Sequence, residues 1–327
     1  MLSQKLLSLY RFTALIIAFF TLNSCSNPAD DVKQKSTISA LIASQTNLSI
    51  YKEALDITGL NSVLTAGNVT CFAPTNAAFQ KYLLDNNYSS ISVIPVVLLR
   101  ELLLNHFMTG LLLSSDLYTG YFSSMAKGAA STATTLSLYV GIVSGSKYIN
   151  GNAQIITADI IANNGIIHVV DNVLILPSVL SQLTINPNFT ELLAALTFQN
   201  QNAPINYFKT TLADDTIKTF FAPTNAAFTA FNTEFGFTST APISSVLQNQ
   251  ILRYHIATGN NYYLNSFSQN QLIATNQMVN LTVQLSTTGI ENFVKLQDTN
   301  NRLASITYKN IQCTNGIIHI IDTVLKP

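Results

Sequence analysis

Helical and strand-like patterns of apolar residues follow one another in the same order twice along this chain. In the first pass, Ile38 to Ala43 and Leu48 to Ile57 carry apolar positions at helical spacing, and Gly59 closes the second run. Asn68-Val-Thr-Cys-Phe-Ala73 is β-prone and runs into Pro74, which cannot donate to a ladder. Thr75 and Asn76 are cap-forming residues ahead of a helix through Ala77, Phe79, Tyr82 and Leu83. This predicts a strand-to-helix corner with Phe72 and Phe79 packed beneath it and Asn76 as the cap. Val93 to Met108 is apolar on nearly every face apart from Arg100, Glu101 and Asn105, the pattern of a buried helix, and Thr109-Gly110 ends it. Strands are then predicted at Leu136 to Val143, Lys147 to Asn150, Gln154 to Ile160 and Ile166 to Ile175.

The second pass repeats the plan with a strand at Thr216 to Ala222 and a more amphipathic helix at Ile243 to Ile256. Strands follow at Gln271 to Thr275, Val279 to Leu285, Asn292 to Leu296, Leu303 to Ile311 and Ile317 to Leu325. The Ile-Ile-His-Val-Val run is apolar on both faces, which suits an interior strand. Helices come early and strands late in each pass, so the fold class is α+β. Between the passes, Pro177 to Pro187 is too short for a floppy linker and predicts two domains held in a limited range of orientations.

The repetition is literal in places. Phe72-Ala-Pro-Thr-Asn-Ala-Ala-Phe79 recurs unchanged as residues 221–228, and Asn164-Gly-Ile-Ile-His-Val-Val-Asp171 returns as Asn315-Gly-Ile-Ile-His-Ile-Ile-Asp322. Between them, Leu104-Asn-His106 with Thr109-Gly110 answers Arg253-Tyr-His255 with Thr258-Gly259. The period is far longer than the ~20–50 residues of solenoid repeats, so each copy can enclose its own core. These blocks, in this order, resemble the fasciclin (FAS1) domain. The resemblance implies two tandem domains, each a wedge of β-sheets with helices packed on it, and a structural and adhesive role for the Tyr-His segment. The first copy departs from that pattern, with Asn105 where the second has Tyr254.

At the start of the chain, Lys5 and Arg11 precede the apolar run Phe12 to Phe20, which leads into Leu22-Asn-Ser-Cys25. The run is too short for a membrane span of ~20 residues and has the layout of a secretory signal. Its ending resembles a bacterial lipobox, which implies cleavage before Cys25 and acylation of that residue. Two or more acyl chains anchor a protein stably. Residues 26–36 are small, polar and charged, as in a tether. The expected organisation is a signal peptide at 1–24, lipidated cysteine and tether at 25–36, and domains at 37–177 and 178–327. The expected location is a bacterial cell envelope, outside the cytoplasm.

Composition narrows the partners. Hydrophobic residues make up 48% of the chain, charged residues only 10%, and the net charge is zero. Acids and bases balance within each copy, so nothing gathers phosphates, and nucleic acid is excluded as a partner. A surface rich in amides and hydroxyls suits cell-surface or matrix proteins, neutral polysaccharide, or self-association, so the expected function is a lipid-anchored adhesion or interaction protein or, alternatively, a glycan-binding accessory lipoprotein that retains polysaccharide for separate enzymes or transporters. No glycine-rich phosphate loop, Gly-x-Ser-x-Gly elbow or Cys-x-x-Cys pair is present, so neither an enzyme nor a cofactor is expected.

The four histidines fall in matched pairs, His106 with His168 and His255 with His319. A pair brought together beside Asp171 or Asp322 would resemble a two-His, one-carboxylate metal site. The apolar neighbours of His168 and His319 instead predict buried imidazoles bonded to backbone, and no metal. The adhesive role implied by the resemblance falls on Leu252, Tyr254, His255 and Ile256, and on Leu104, His106 and Phe107. Core packing is the competing role for these residues. Tyr121-Phe122 and Tyr262-Tyr263 are candidates for stacking on sugar rings. Phe72, Pro74, Thr75, Asn76 and Phe79, with Phe221, Pro223, Thr224, Asn225 and Phe228, are read as structural. Cys71 and Cys313 lie in different copies and are read as buried thiols.

Overall fold

The computed structural model describes residues 36–65, 67–197, 207–238, 243–288 and 291–327. The N-terminal apolar run, Cys25 and the tether ahead of Ser36 lie outside the described residues. Copy one opens with helices α1 (Ile38–Ser44), α2 (Ser49–Thr58) and α3 (Asn61–Thr65). Strand β1 (Val69–Pro74), α4 (Asn76–Asp85), α5 (Val96–Leu104) and the short β2 (Phe107–Thr109) follow. Strands β3 (Gly120–Gly128), β4 (Ser131–Val143), β5 (Ser146–Ile149), β6 (Ala153–Ile161) and β7 (Gly165–Val170) complete it. Copy two contains α6 (Val179–Ile185), α7 (Thr190–Thr197), α8 (Tyr207–Ala213), β8 (Lys218–Pro223), α9 (Asn225–Phe235) and α10 (Ser245–Tyr254). Its remaining strands are β9 (Ile256–Thr258), β10 (Leu272–Ala274), β11 (Asn280–Thr288), β12 (Glu291–Gln297), β13 (Leu303–Cys313) and β14 (Gly316–Ile321).

Each copy has seven strands in one hydrogen-bonded order, β2-β1-β7-β6-β5-β4-β3 and its counterpart β9-β8-β14-β13-β12-β11-β10. The two sheets expected of the wedge are thus halves of one order, joined at β6 or β13, whose register shifts bend the strand. The first strand and the closing strand pair in parallel, Phe72 opposite His168 and Phe221 opposite His319. Both strands are buried on both faces. In copy one, Cys71, Ala73, Ile167 and Val169 meet the helices, while Phe72 and Val170 meet Leu138, Val140 and Ile149 across the fold of the sheet. That explains a strand sequence with no polar face.

Several expectations need correction. Phe72 and Phe79 are both fully buried but on opposite sides of β1, Phe79 in the helical core and Phe72 in the sheet core. Alternation along a strand turns neighbouring side chains to opposite faces, so the corner has two undersides. Thr75, not Asn76, caps α4: its hydroxyl accepts from Ala78 N. Asn76 reaches across to the preceding helix, accepting from Ile50 N and donating to Thr46 O and Ser49 Oγ. Asn225 does the same toward Glu191 N and Pro187 O. The predicted helix from Val93 to Met108 shrinks to α5, and Phe107 and Met108 join β2 instead. Nor is α5 buried all round. Leu99, Leu102 and Leu103 enter the core, but Val96, Val97 and Leu98 face solvent, because the helix packs on the sheet by one side only. β3 has no counterpart among the predicted strands. The closing strands end at Val170 and Ile321, where Asp171 and Asp322 fold back to accept from Gln154 N and Ser305 N.

The repeated asparagine of the closing motif gates the entry to each domain. Asn164 Oδ1 accepts from Ile38 N at 2.9 Å, and its Nδ2 donates to Leu64 O. Asn315 Oδ1 accepts from Val179 N at 2.9 Å, and its Nδ2 donates to Leu212 O and Asp214 O. The join between copies is thus a helix, α6, pinned at its start. Gln182 on α6 donates to Ser137 O, Asn186 donates to Tyr121 Oη, and Gln312 N donates to Ser137 Oγ at 3.0 Å. Thr134, Tyr263, Asn261 and Gln312 form one hydrogen-bonded cluster across the junction. These bonds hold the copies in a single arrangement.

Gly165 and Gly316 allow the parallel strands to meet. A Cβ on Gly165 would lie 2.2 Å from Val69 O, and one on Gly316 would lie 2.0 Å from Lys218 O. Gly165→Ala is expected to destabilise the chain by at least the ~1–3 kcal/mol of an overpacked core, measured as a fall in urea midpoint. An unchanged midpoint would refute the close approach.

Candidate functional site

The residues with most potential for chemistry are the four histidines, and the fold uses each as a neutral clamp. His106 follows α5. Its Nδ1 donates to Leu102 O at 2.8 Å, and its Nε2 accepts from Leu174 N at 2.9 Å. His255 repeats this with Ile251 O at 2.8 Å and Leu325 N at 3.1 Å. Each ties the end of the helix to the segment after the closing strand. Their carbonyls extend the clamp, accepting from Phe72 N and Phe221 N at 2.9 Å.

The second pair works on the other side of the sheet. His168 Nε2 donates to Leu112 O at 3.0 Å, and its Nδ1 accepts from Asp159 N at 3.2 Å. His319 donates to Tyr262 O at 2.8 Å and accepts from Asn310 N at 3.4 Å. Asp159 and Asn310 sit in bulges of β6 and β13 at φ of 61° and 58°, a conformation that short polar side chains tolerate. Their own side chains hold the loop above: Asp159 accepts from Ser114 N and Oγ, and Asn310 accepts from Leu264 N. Sequence reasoning passed over these two residues. Their only signal was a polar residue nine positions before each histidine.

Hydrogen bonding assigns the tautomers: Nδ1–H in His106 and His255, Nε2–H in His168 and His319. Each ring nitrogen has one partner of the right kind, so adding a proton would set N–H against N–H. Burial also disfavours the cation and lowers the pKa of His106, His255 and His319 to about 4. His168 is lowered as well, burial outweighing the nearby Asp159 carboxylate.

The pairs do not converge on a metal site. His106 lies beside Tyr51 in the helical core, with ring centroids 6.3 Å apart, whereas His168 stacks on Phe72 in the sheet core at 5.5 Å. Asp171 and Asp322 are engaged with backbone amides. Among the described residues, no group of three His, Cys, Asp or Glu is placed to hold a metal.

The candidate adhesive residues are core residues. Leu252, Tyr254, His255, Ile256, His106 and Phe107 are all buried, and Leu104 is half-buried. Tyr254 Oη donates to Asn280 O at 2.9 Å. Asn105, its counterpart, is buried and donates to Leu174 O and Ile175 O. The segment seats the helix, and the polar atoms of Tyr254, His255 and His106 are committed to backbone. The sugar-stacking candidates are likewise occupied. Tyr121 lies between Tyr139 and Tyr308 at the junction, and Phe122 packs on Tyr118. Tyr262 stacks on Phe267, and Tyr263 donates to Gln312 Oε1 at 2.6 Å.

Cys71 and Cys313 are buried and unpaired. Cys71 lies 3.2 Å from Tyr51 Oη, and burial pushes its thiol up to about 12. In copy two, Phe220 stands where copy one has Cys71, and Leu192 where it has Tyr51. A large-small pair has become a small-large one.

Two outcomes are expected. His255→Ala takes the imidazole partner from both Ile251 O and Leu325 N and costs about 1–3 kcal/mol for each group left unpaired; an unchanged urea midpoint would exclude the clamp. Stability should be full above pH ~6.5, the unfolded value for histidine, and fall between there and pH 4 as the unfolded chain takes up protons that the folded one refuses. Each imidazole held at about 4 contributes roughly 3 kcal/mol to that loss. A melting temperature flat from pH 7 to 4 would contradict neutral clamps.

Comparison with known proteins agrees with this duplicated plan. The Fasciclin domain family matches residues 46–177 and 187–327. A fasciclin-like arabinogalactan protein of Arthroderma benhamiae is 26% identical over 96% of this chain and 69% of its own length. Human periostin is 27% identical over 80% of this chain, which corresponds to only 28% of periostin. A solved FAS1 domain pair from the insect cell adhesion molecule Fasciclin I shares the fold at TM-score 0.50 and 18% identity. That alignment covers 88% of this chain and 96% of the insect one. With a family match across both copies and the same strand order in each, the chain belongs to the fasciclin family as a tandem pair of FAS1 domains.

Proposed function

We propose that this chain is a non-catalytic adhesion or interaction protein outside the cytoplasm, anchored to a bacterial envelope membrane through lipid on Cys25. In this reading its fasciclin domains bind cell-surface or matrix proteins by surface contact. The observation that carries it is the closure of all four histidines inside the scaffold. The side chains most able to exchange protons or bind metals near neutral pH are spent on holding the fold. What the domains present outward is a surface poor in charge, suited to short-range contact. The names of the related proteins support the same role, since the insect pair comes from a cell adhesion molecule. No helix among the described residues is long and apolar enough to cross a membrane, so attachment in this reading rests on Cys25.

Two measurements test the two halves of the proposal. Cys25→Ser should release the full chain from the membrane pellet of expressing cells, and retention in the pellet would refute the lipid anchor. Cells displaying the chain should adhere to surfaces coated with matrix or envelope proteins more than cells lacking it. Equal adherence would refute the adhesive role, and clumping of displaying cells alone would identify the partner as a second copy.

A further inference from the structure

Domain one carries an open cleft beside the join between the copies. It lies between the β5–β6 turn and α6, with a volume of about 600 Å³, and an adjoining cleft of about 240 Å³ shares Gly151 and Ile185 with it. Volumes of this order are typical of small-ligand sites. Gly151, at φ +77°, opens the space: a Cβ there would lie 2.9 Å from Ile185 Cγ2. The equivalent position of copy two, fixed by the shared contacts of Asp171 with Gln154 N and Asp322 with Ser305 N, is Arg302. That side chain closes its own turn by donating to Val324 O at 2.8 Å. The wall facing Gly151 is the helix that joins the copies, so the cleft exists only because the domains are in tandem.

The lining is uncharged throughout. Asn150, Asn152, Ser181 and Thr184 supply amides and hydroxyls to the larger part, and Tyr139 and Tyr148 flank the smaller. Gly141 pairs directly opposite Tyr148, and a Cβ there would be 3.4 Å from the Tyr139 ring. Tyr139 is buried against Tyr121, so the missing side chain at Gly141 leaves space beside one accessible ring, that of half-buried Tyr148. Lys147, next to Tyr148, is the nearest cation in sequence, and it is committed elsewhere, donating to Ser114 O and Leu117 O. Asn150 is only 7% exposed. Its N donates to Tyr139 O and its Oδ1 accepts from Tyr139 N, but its Nδ2 has no partner among the described residues. A buried donor without a partner costs about 1–3 kcal/mol.

The geometry points to a neutral oligosaccharide site in this cleft, formed by the half-buried Tyr148 beside Gly141, the Asn152 amide, and the Ser181 and Thr184 hydroxyls, which donate to Ser178 O and Leu180 O and keep their oxygens free to accept. Sugar rings present an apolar face for a tyrosine and a rim of hydroxyls for amides. The absence of charge in the lining disfavours uronates, sulfated sugars and phosphates, whose ionic groups would lose hydration without a counter-charge. This site is independent of the adhesive reading above, since a glycan held here touches neither the lipid anchor nor a protein partner.

The test is calorimetric titration of the full chain in detergent micelles with neutral β-glucan, xylan and mannan oligosaccharides, alongside an oligouronate. At least one neutral oligosaccharide should bind and the uronate should not. Tyr148→Ala should weaken binding at least tenfold. Thr184→Trp, at an exposed position of α6, should block the cleft and abolish binding with the melting temperature unchanged. No binding by any neutral oligosaccharide, equal binding of the uronate, or binding that survives both substitutions would overturn the proposal.

Discussion

A neutral imidazole with one donor and one acceptor nitrogen is the piece on which each domain is assembled. Within one ring's reach, His106 and His255 join a helix end to the chain segment that follows the closing strand. Their own carbonyls hold the first strand. His168 and His319 then join the closing strand's far face to a bulge and to the loop entering the sheet. No aliphatic residue could do this, because the carbonyls and amides would remain unpaired in a dry interior. No cation could either, because two of the contacts need a lone pair. The same side chain that elsewhere serves as an acid or base is here useful only while it does neither.

Coupling of the two copies follows from similar economy. The helix that opens copy two is also the wall against which copy one rests, and polar side chains on β4, β13 and α6 meet in one network. The junction is polar yet bonded, which sets a geometry more sharply than an apolar contact of similar size. Copy one's cleft has Gly151 facing α6, where copy two's turn carries Arg302. The duplicated halves have thus acquired different surfaces on one scaffold.

Much of this was legible in the chain. The literal repeats of the octapeptide and of the closing motif located both copies, and the two-faced apolar run placed β7 and β14 in the sheet interior. The apolar neighbours of His168 already predicted a buried imidazole bonded to backbone. What could not be read was depth and direction. Tyr254 and His255 carry groups that look fit for binding, and nothing local says that they bond backbone atoms 26 and 70 positions away. Val96 and Val97 are as apolar as Leu102 and Leu103, and only the packed sheet decides which side is wet. β3 was missed because its mixture of Ser, Tyr, Phe and Lys keeps no strict alternation. The exchange of Tyr51 and Cys71 for Leu192 and Phe220 became visible only once the side chains were known to share a space.

The gating asparagines give the pair a mechanical order. Ser36 O is bonded to Asn163 N, and Ile38 N to Asn164, so a pull entering at residue 36 loads the β6–β7 turn first. The same lock recurs in series at Pro177 O and Val179 N, reinforced by two backbone acceptors on Asn315 and by the junction network. Under tension the first lock is the weaker link. A load on residue 36 therefore bears first on the three leading helices of domain one, and reaches α6 only through a lock with more bonds behind it.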